Sequence, residues 1–166
     1  IGMVPEQYRW LTTLSGFDGN LSQGISELQQ LSDNTGGSAY LKYEQEQANM
    51  ILIFILLNFK QDIALAKMYV SKIDKNQTSP LRTFMRANVA IHANENDEAI
   101  RILEVNRKMA SMSLPYLDLM LGAAKLYRMD KDANIYLEAF LKEYKGRNYI
   151  KSANQKLAWY HLLQNN

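Results

Sequence analysis

The chain has 166 residues, enough for one domain with a sizeable core or for four to five small helical repeats. Apolar residues make up 47% and charged residues 22%, a balance that excludes a disordered chain. A formal charge of +2 argues against a dedicated nucleic-acid binder, and the absence of cysteine excludes disulfides, thiolate metal sites and cysteine nucleophiles.

Helical periodicity runs along the whole chain, and no segment alternates as a strand between hairpin turns. A first helix is expected over residues 5–14 and a second over 20–31, followed by a loop rich in turn formers from Ser32 to Ser38. Helices over 43–58 and 62–73 come next. The longest apolar run, 50–57, is eight residues long, far short of the ~20 a helix needs to cross a bilayer. It is expected to be a buried helix, and no membrane span is predicted. The chain opens on Ile1-Gly2 with no signal-peptide pattern, as a mature form or an excised fragment would.

The clearest unit covers 79–109. Ser79 is placed to cap a helix with Pro80 at its first position, where a missing N–H costs nothing. Leu81, Phe84, Ala87 and Ile91 then recur at helical spacing. Asn94, Glu95, Asn96 and Asp97 make a polar turn, with Asn96 or Asp97 as the next cap, and Ala99, Ile100, Leu103 and Val105 supply the apolar side of the second helix. The design returns at once: Pro115 opens a helix carrying Leu119, Gly122, Ala123 and Leu126. Met129 to Asp132 forms the turn, and Ala133, Tyr136, Leu137, Phe140 and Leu141 line its partner.

Internal repetition follows from these landmarks. Pro80 to Pro115 is 35 residues, Ala87 to Gly122 is 35, and Ala99 to Ala133 is 34. Backwards, Ala66 stands a slightly shorter period before Ala99, while Gly24 stands a clearly longer interval before Ala66, the surplus falling in the 32–38 loop. Forwards, Ala158 repeats the position of Gly122 in a last helix over 148–164. The expectation is an all-α chain forming a single domain over 1–166, with hairpins at 5–31, 43–73, 79–109 and 115–144 and one closing helix.

This pattern resembles the tetratricopeptide-repeat family, whose motif is a helix hairpin of about 34 residues. The resemblance rests on small residues where paired helices cross: Ala87 with Ala99, and Gly122 with Ala133. Helix axes approach to ~8 Å only where no bulk intervenes. Two departures are Phe54 at the second repeat's small position and the missing early tryptophan in the two central repeats. Near the end, Asn148-Tyr149-Ile150-Lys151 and Lys156-Leu157-Ala158-Trp159-Tyr160 are similar to uncharacterised repeat proteins of Bacteroidetes. The resemblance implies a right-handed α-α superhelix, an adaptor role, and a concave face lined by the first helix of each hairpin. Carried over by the two prolines, that face comprises Phe84, Asn88, Ile91 and His92, then Leu119, Ala123, Leu126 and Tyr127, with Ile55 and Asn58 from the second repeat.

Catalytic constellations are not apparent. His92 and His161 stand alone, without a histidine or carboxylate at ligand spacing. Glycines at 36–37 and in the 16–20 turn follow no strand, so they do not suggest a phosphate loop. No enzyme activity, cofactor or metal is expected. Arg82 and Arg86, one turn apart, suit a solvated face better than an anion site. Six late tyrosines (Tyr116, Tyr127, Tyr136, Tyr144, Tyr149 and Tyr160) suit core packing, or else a ligand groove. Leu157, Trp159, Tyr160, Leu162 and Leu163 are apolar on more than one side of the last helix. That helix therefore caps the fourth hairpin, precedes further chain, or packs on another subunit as a homo-oligomer. The function expected is a scaffold that binds a peptide or partner helix. The alternatives are a helical repeat for single-stranded RNA and a structural subunit of an envelope assembly.

Overall fold

The computed structural model describes residues 20–34, 36–73, 79–109 and 114–164, and every regular element among them is helical. The chain divides into two compact units, Ile1–Ile73 and Asp74–Asn166. The first contains α1 (Leu21–Asp33), α2 (Ala39–Ile55), a π-helical turn (Leu56–Lys60) and α3 (Ile63–Ser71). The second contains α4 (Pro80–His92), α5 (Asn96–Met109), α6 (Pro115–Tyr127), α7 (Ala133–Glu143) and α8 (Ile150–Gln164). The helix expected over 5–14 and the turn at 16–19 lie outside the described residues.

Helix starts follow local side-chain chemistry. Asn20, Ser38, Asp62 and Ser79 each accept a hydrogen bond from a backbone N–H of the first turn of α1, α2, α3 and α4 respectively, satisfying donors that have no partner within the helix. Pro80 and Pro115 occupy the first turn of α4 and α6, as their spacing predicts. The cap of α5 differs from expectation: Asn96 is already helical, and the Glu95 carbonyl accepts from Ala99 N–H at 3.0 Å.

Helix ends explain the period. Asn94 and Met129 both take left-handed φ, 58° and 66°. Around them the same two bonds recur. Asn94 N–H donates to Ile91 O and Glu95 N–H to Ala90 O; Met129 N–H donates to Leu126 O and Asp130 N–H to Lys125 O. This is the Schellman closure, in which the N–H groups just past the helix satisfy its last carbonyls. Each member of the second set lies the same single period after its counterpart as Pro115 lies after Pro80. Gln61, at φ 54°, ends the π-helical turn after α2, with Asp62 N–H reaching back to Leu56 O. It precedes Asn94 by the same interval that separates Ala66 from Ala99, so three hairpins (α2–α3, α4–α5, α6–α7) turn at a left-handed residue in a matching position.

In the first unit α2 packs against both α1 and α3. Leu52, Ile53, Ala66 and Tyr69 are fully or almost fully buried. A polar clasp joins the three helices: the buried Ser32 hydroxyl donates to Asn49 Oδ1 at 2.5 Å, and the Lys72 ammonium reaches Ser32 Oγ and pairs with Asp33. Phe54 is 50% exposed and meets Phe59 edge-on at 5.9 Å. A bulky ring is tolerated at this repeat position because it points away from the helix contact.

In the second unit each helix packs on the next, α4 also touches α6, and α6 also touches α8. One cluster joins Ala87, Ile100, Leu103, Leu117, Leu121 and Ala124; another joins Leu119, Leu137, Phe140 and Ala153. Leu81 and Val105, expected on the apolar side, are instead exposed. On α6 the crossing is closest at Gly122, where a Cβ would stand 2.7 Å from Leu137 Cγ and 3.0 Å from the Leu137 backbone nitrogen. The residue that demands a glycine is therefore Leu137, one turn beyond the expected Ala133.

With both clusters resting on α6, two of its charges are buried. Lys125 is 5% exposed; its ammonium lies 2.9 Å from Glu104 on α5, 2.9 Å from Asp132 and 3.9 Å from Asp130. Burial disfavours that ammonium, but hydrogen bonds to Asp132 and Glu104 outweigh the penalty and hold it above the usual lysine range. Asp118 pairs with Arg107 of α5 at 3.0 Å. There burial wins, lifting the carboxyl above its ordinary value against the pull of Arg107, with Glu143 adding to the rise. Arg128 ties the two hairpin turns together, bonding Asp97 at 2.7 Å and Asp130 at 2.5 Å.

Gly122→Ala should lower stability by about 1–3 kcal/mol, since the Leu137 backbone nitrogen cannot yield, despite the gain of roughly 1 kcal/mol in helix propensity. Gly24→Ala in α1, where an added Cβ meets nothing within 4 Å, should raise stability by about 0.5–1 kcal/mol. Urea midpoints at constant m-value separate the two. Lys125→Met keeps the stem and deletes the charge, and should cost roughly 1.5–3 kcal/mol on the same measurement. Asp130 is held below the usual carboxylate range by its hydrogen bond to Arg128, with burial opposing. Its contribution is complete above the unfolded value near 3.8 and is lost as pH falls through the lower folded value. Asp130→Asn should therefore flatten the acid limb of a stability–pH curve below about pH 4.

Candidate binding surface

The first helices of the two hairpins in the second unit, α4 and α6, carry eight of the ten residues expected on a concave face. On α4, Phe84, Asn88 and Ile91 are half-buried and His92 is exposed. Phe84 and Ile91 pack against the Ala87 cluster. The His92 ring nitrogen Nδ1 lies 2.9 Å from Asn88 O, a bond within the helix that orients the imidazole. On α6, Ala123 is half-buried and Tyr127 is 56% exposed. Leu119 sits in the core with Leu137 and Phe140, so a partner does not reach it. Leu126 is 4% exposed and meets the surface only as part of the lining of a hollow.

The remaining two residues belong to the first unit. Ile55 is buried against its core, which removes it from any accessible face. Asn58 is exposed, and its amide donates to Phe54 O at 2.9 Å within the helix.

Most of the late tyrosines work in packing. Tyr116 stands between Phe84 at 5.8 Å and Tyr149 at 4.8 Å, a ring contact that links α4, α6 and the start of α8. Burial, with Tyr149 beside it, raises the Tyr116 hydroxyl above its ordinary pKa. Tyr144 stacks on the buried Phe140 at 4.8 Å. Arg107 and Lys125 lie over the Tyr136 ring. Tyr160 donates its hydroxyl to Lys131 O at 2.6 Å, fastening α8 to the α6–α7 turn.

Tyr127 is different, because it joins an exposed apolar patch. With Leu126, Met129, Trp159, Leu162 and Leu163 it lines a hollow of about 250 Å³. Five of these six side chains are exposed, with Met129 at 62% and Leu162 at 66%. The α8 helix is thus two-sided. Ala153, Ile150 and Leu157 close the core of the α6–α7 hairpin, while Trp159, Leu162 and Leu163 face outward. Lys156 lies about 6 Å from both the Tyr127 and Trp159 rings, at the edge of cation–π range.

Met129, Leu162 and Leu163 were not among the expected groove residues. Their signals were present: a methionine opening an otherwise charged turn, and leucines off the capping side of the last helix.

Several cations are consumed by carboxylates: Lys72 by Asp33, Arg101 by Glu98, Arg107 by Asp118, Lys125 by Glu104 and Asp132, and Arg128 by Asp97 and Asp130. Arg82 and Arg86 lie one turn apart on α4 and are both half-buried rather than fully solvated. Among the described residues no group of three or more histidine, cysteine or acidic side chains is arranged to hold a metal. No described helix is long and apolar enough to cross a membrane. The chain matches no protein-family model, no curated protein and no solved structure.

Proposed function

We propose that this protein is a tetratricopeptide-like adaptor, and that the surface around Tyr127 and Trp159 receives an apolar anchor from a peptide or helix of a partner protein. The observation carrying this reading is the contiguous exposed patch of Tyr127, Met129, Trp159, Leu162 and Leu163 around a hollow of about 250 Å³. Isolated exposed apolar residues are ordinary, but contiguous patches around a concavity mark contact surfaces. A rigid tyrosine and tryptophan beside flexible methionine and leucines suits an anchor side chain, because aromatic groups offer large contact area at low entropic cost. The shared hairpin turn and the stacking of α4 on α6 and α6 on α8 favour a superhelix in which Asn88 and His92 extend the same binding face.

The near-balanced charge of +2 gives a single-stranded RNA reading little footing, since phosphate contacts favour a clear excess of positive charge. A second copy of the chain is the other occupant of an apolar surface of this kind.

Peptides selected by display against the intact chain, measured by fluorescence anisotropy, test the assignment. Tyr127→Ala and Trp159→Ala should each weaken a selected peptide at least tenfold, and Asn88→Ala should weaken it less, with helical circular dichroism unchanged. Unaltered affinity in all three variants sinks the site. Loss of peptide binding together with a concentration-dependent dimer that Leu162→Asp abolishes reassigns the patch to self-association.

A further inference from the structure

A second recess in the same unit lies between α5, α6 and the end of α7, away from Trp159. It has a volume of about 120 Å³, room for several waters at roughly 10–15 Å³ each. Its walls are of two kinds. Leu103, Leu117 and Leu121 form an apolar flank, while Asn106, Asp118 and Glu143 supply oxygen acceptors beside the Arg107 guanidinium.

Asn106 is the unexplained member. It follows Ile102 and Leu103 at helical spacing, so it occupies the core-facing side of α5, and it is 5% exposed. Among the described residues its amide makes no hydrogen bond with another group, and no polar side-chain atom sealed from solvent lacks a partner. The Asn106 amide is therefore open to the recess. A buried amide without protein partners costs free energy that a leucine would not. A group in the recess that hydrogen-bonds to it offsets that cost.

Charge identifies that group. Asp118 is 8% exposed and commits Oδ1 to Arg107 Nε at 3.0 Å. Glu143 stands at the rim, near enough that its charge adds to the rise of the Asp118 carboxyl. Two carboxylates against one guanidinium leave a single negative charge, held beside an amide oxygen and above an apolar wall. An anion would be repelled, and a neutral polar group would leave that charge uncompensated. A divalent metal would bring one charge too many and would compete with a guanidinium already bound to Asp118.

We propose that this recess is a binding site for a primary ammonium group on a short alkyl stem, the chemistry of a lysine side chain or of a free aliphatic amine. The stem lies along Leu103, Leu117 and Leu121. The ammonium donates its three protons among the Asn106 carbonyl oxygen, Asp118 and Glu143, a count that matches its donor capacity. Arg107, held over Tyr136 at 4.8 Å and bonded to Asp118, also lines the recess; its guanidinium takes one oxygen of Asp118 and positions that carboxylate. This site does not depend on the adaptor reading, because a free amine tests it without a partner protein.

The test uses the intact isotope-labelled chain and follows the Asn106 side-chain amide resonances by NMR. n-Butylammonium chloride is titrated against potassium chloride at matched ionic strength and against n-butanol, its neutral counterpart. The expected result is a saturable shift with the amine at millimolar concentration and at least a tenfold weaker response to the alcohol. Asp118→Asn and Glu143→Gln should each weaken amine binding about tenfold; Glu143 is exposed, so its variant retains the fold even if the Asp118 variant does not. A peptide with one lysine and capped termini gives the source. A matching shift points to a lysine of a protein, and a shift with the free amine alone points to a small metabolite amine; both uphold the site. Absence of saturation, equal response to the alcohol, or unchanged affinity in Glu143→Gln overturns it.

Discussion

The second unit depends on α6 being covered on almost every side. Leu117, Met120, Leu121 and Ala124 face the α4–α5 hairpin, while Leu119 and Gly122 face α7. A helix shared by two hairpins has no fully wet face on which to place its charges. Asp118 and Lys125 are consequently buried, and each needs a counterion from a neighbouring element. Helix α5 supplies both, with Arg107 for Asp118 and Glu104 for Lys125. These pairs do more than offset desolvation: they set which turn of α5 lies beside which turn of α6, a register that leucine contacts alone specify weakly.

The left-handed turn is the complementary constraint. Asn94 and Met129 end their helices with identical backbone closures, and Gln61 reverses the chain after α2 in the same left-handed conformation. None of these residues is glycine. A non-glycine residue in this conformation carries a cost of about 1–2 kcal/mol, which the recovered carbonyl bonds and the packing of the following helix offset. Because Met129 is forced into this turn, its apolar side chain stands in solvent beside Tyr127 and Trp159. The hairpin geometry thus creates part of the apolar patch.

Two surfaces of one unit consequently differ in chemistry. The patch on α6 and α8 is almost wholly apolar and open, suited to a side chain that buries area. The recess between α5 and α6 is smaller and combines a leucine wall with a net negative charge and a spare amide. Lys125 and Asp118, on the same helix, show why the two ends diverge. Lys125 is saturated by three carboxylates, whereas Asp118 has one guanidinium and an oxygen left over.

Sequence by itself determined the helices, the Ser79-Pro80 start and the repeat period, because these are local: a Ser-Pro start, a polar turn and a small residue two turns on act within one or two helical turns. It also marked Ala87, Ala99 and Gly122 as close-approach positions, since only small side chains permit them. Tertiary structure decided which apolar residues face inward. Leu119 and Ile55 are groove candidates by their spacing yet lie in cores, and Leu81 and Val105 fit an apolar stripe yet lie outside. Periodicity defines a stripe but not which neighbour covers it, and on a helix packed on two sides the stripe ceases to be single. The Leu137 contact of Gly122, the counterions of Asp118 and Lys125, and the joining of Met129 in a hairpin turn to Trp159 on the last helix all arise from that packing. They depend on elements distant in the chain meeting at one place, which no local pattern encodes.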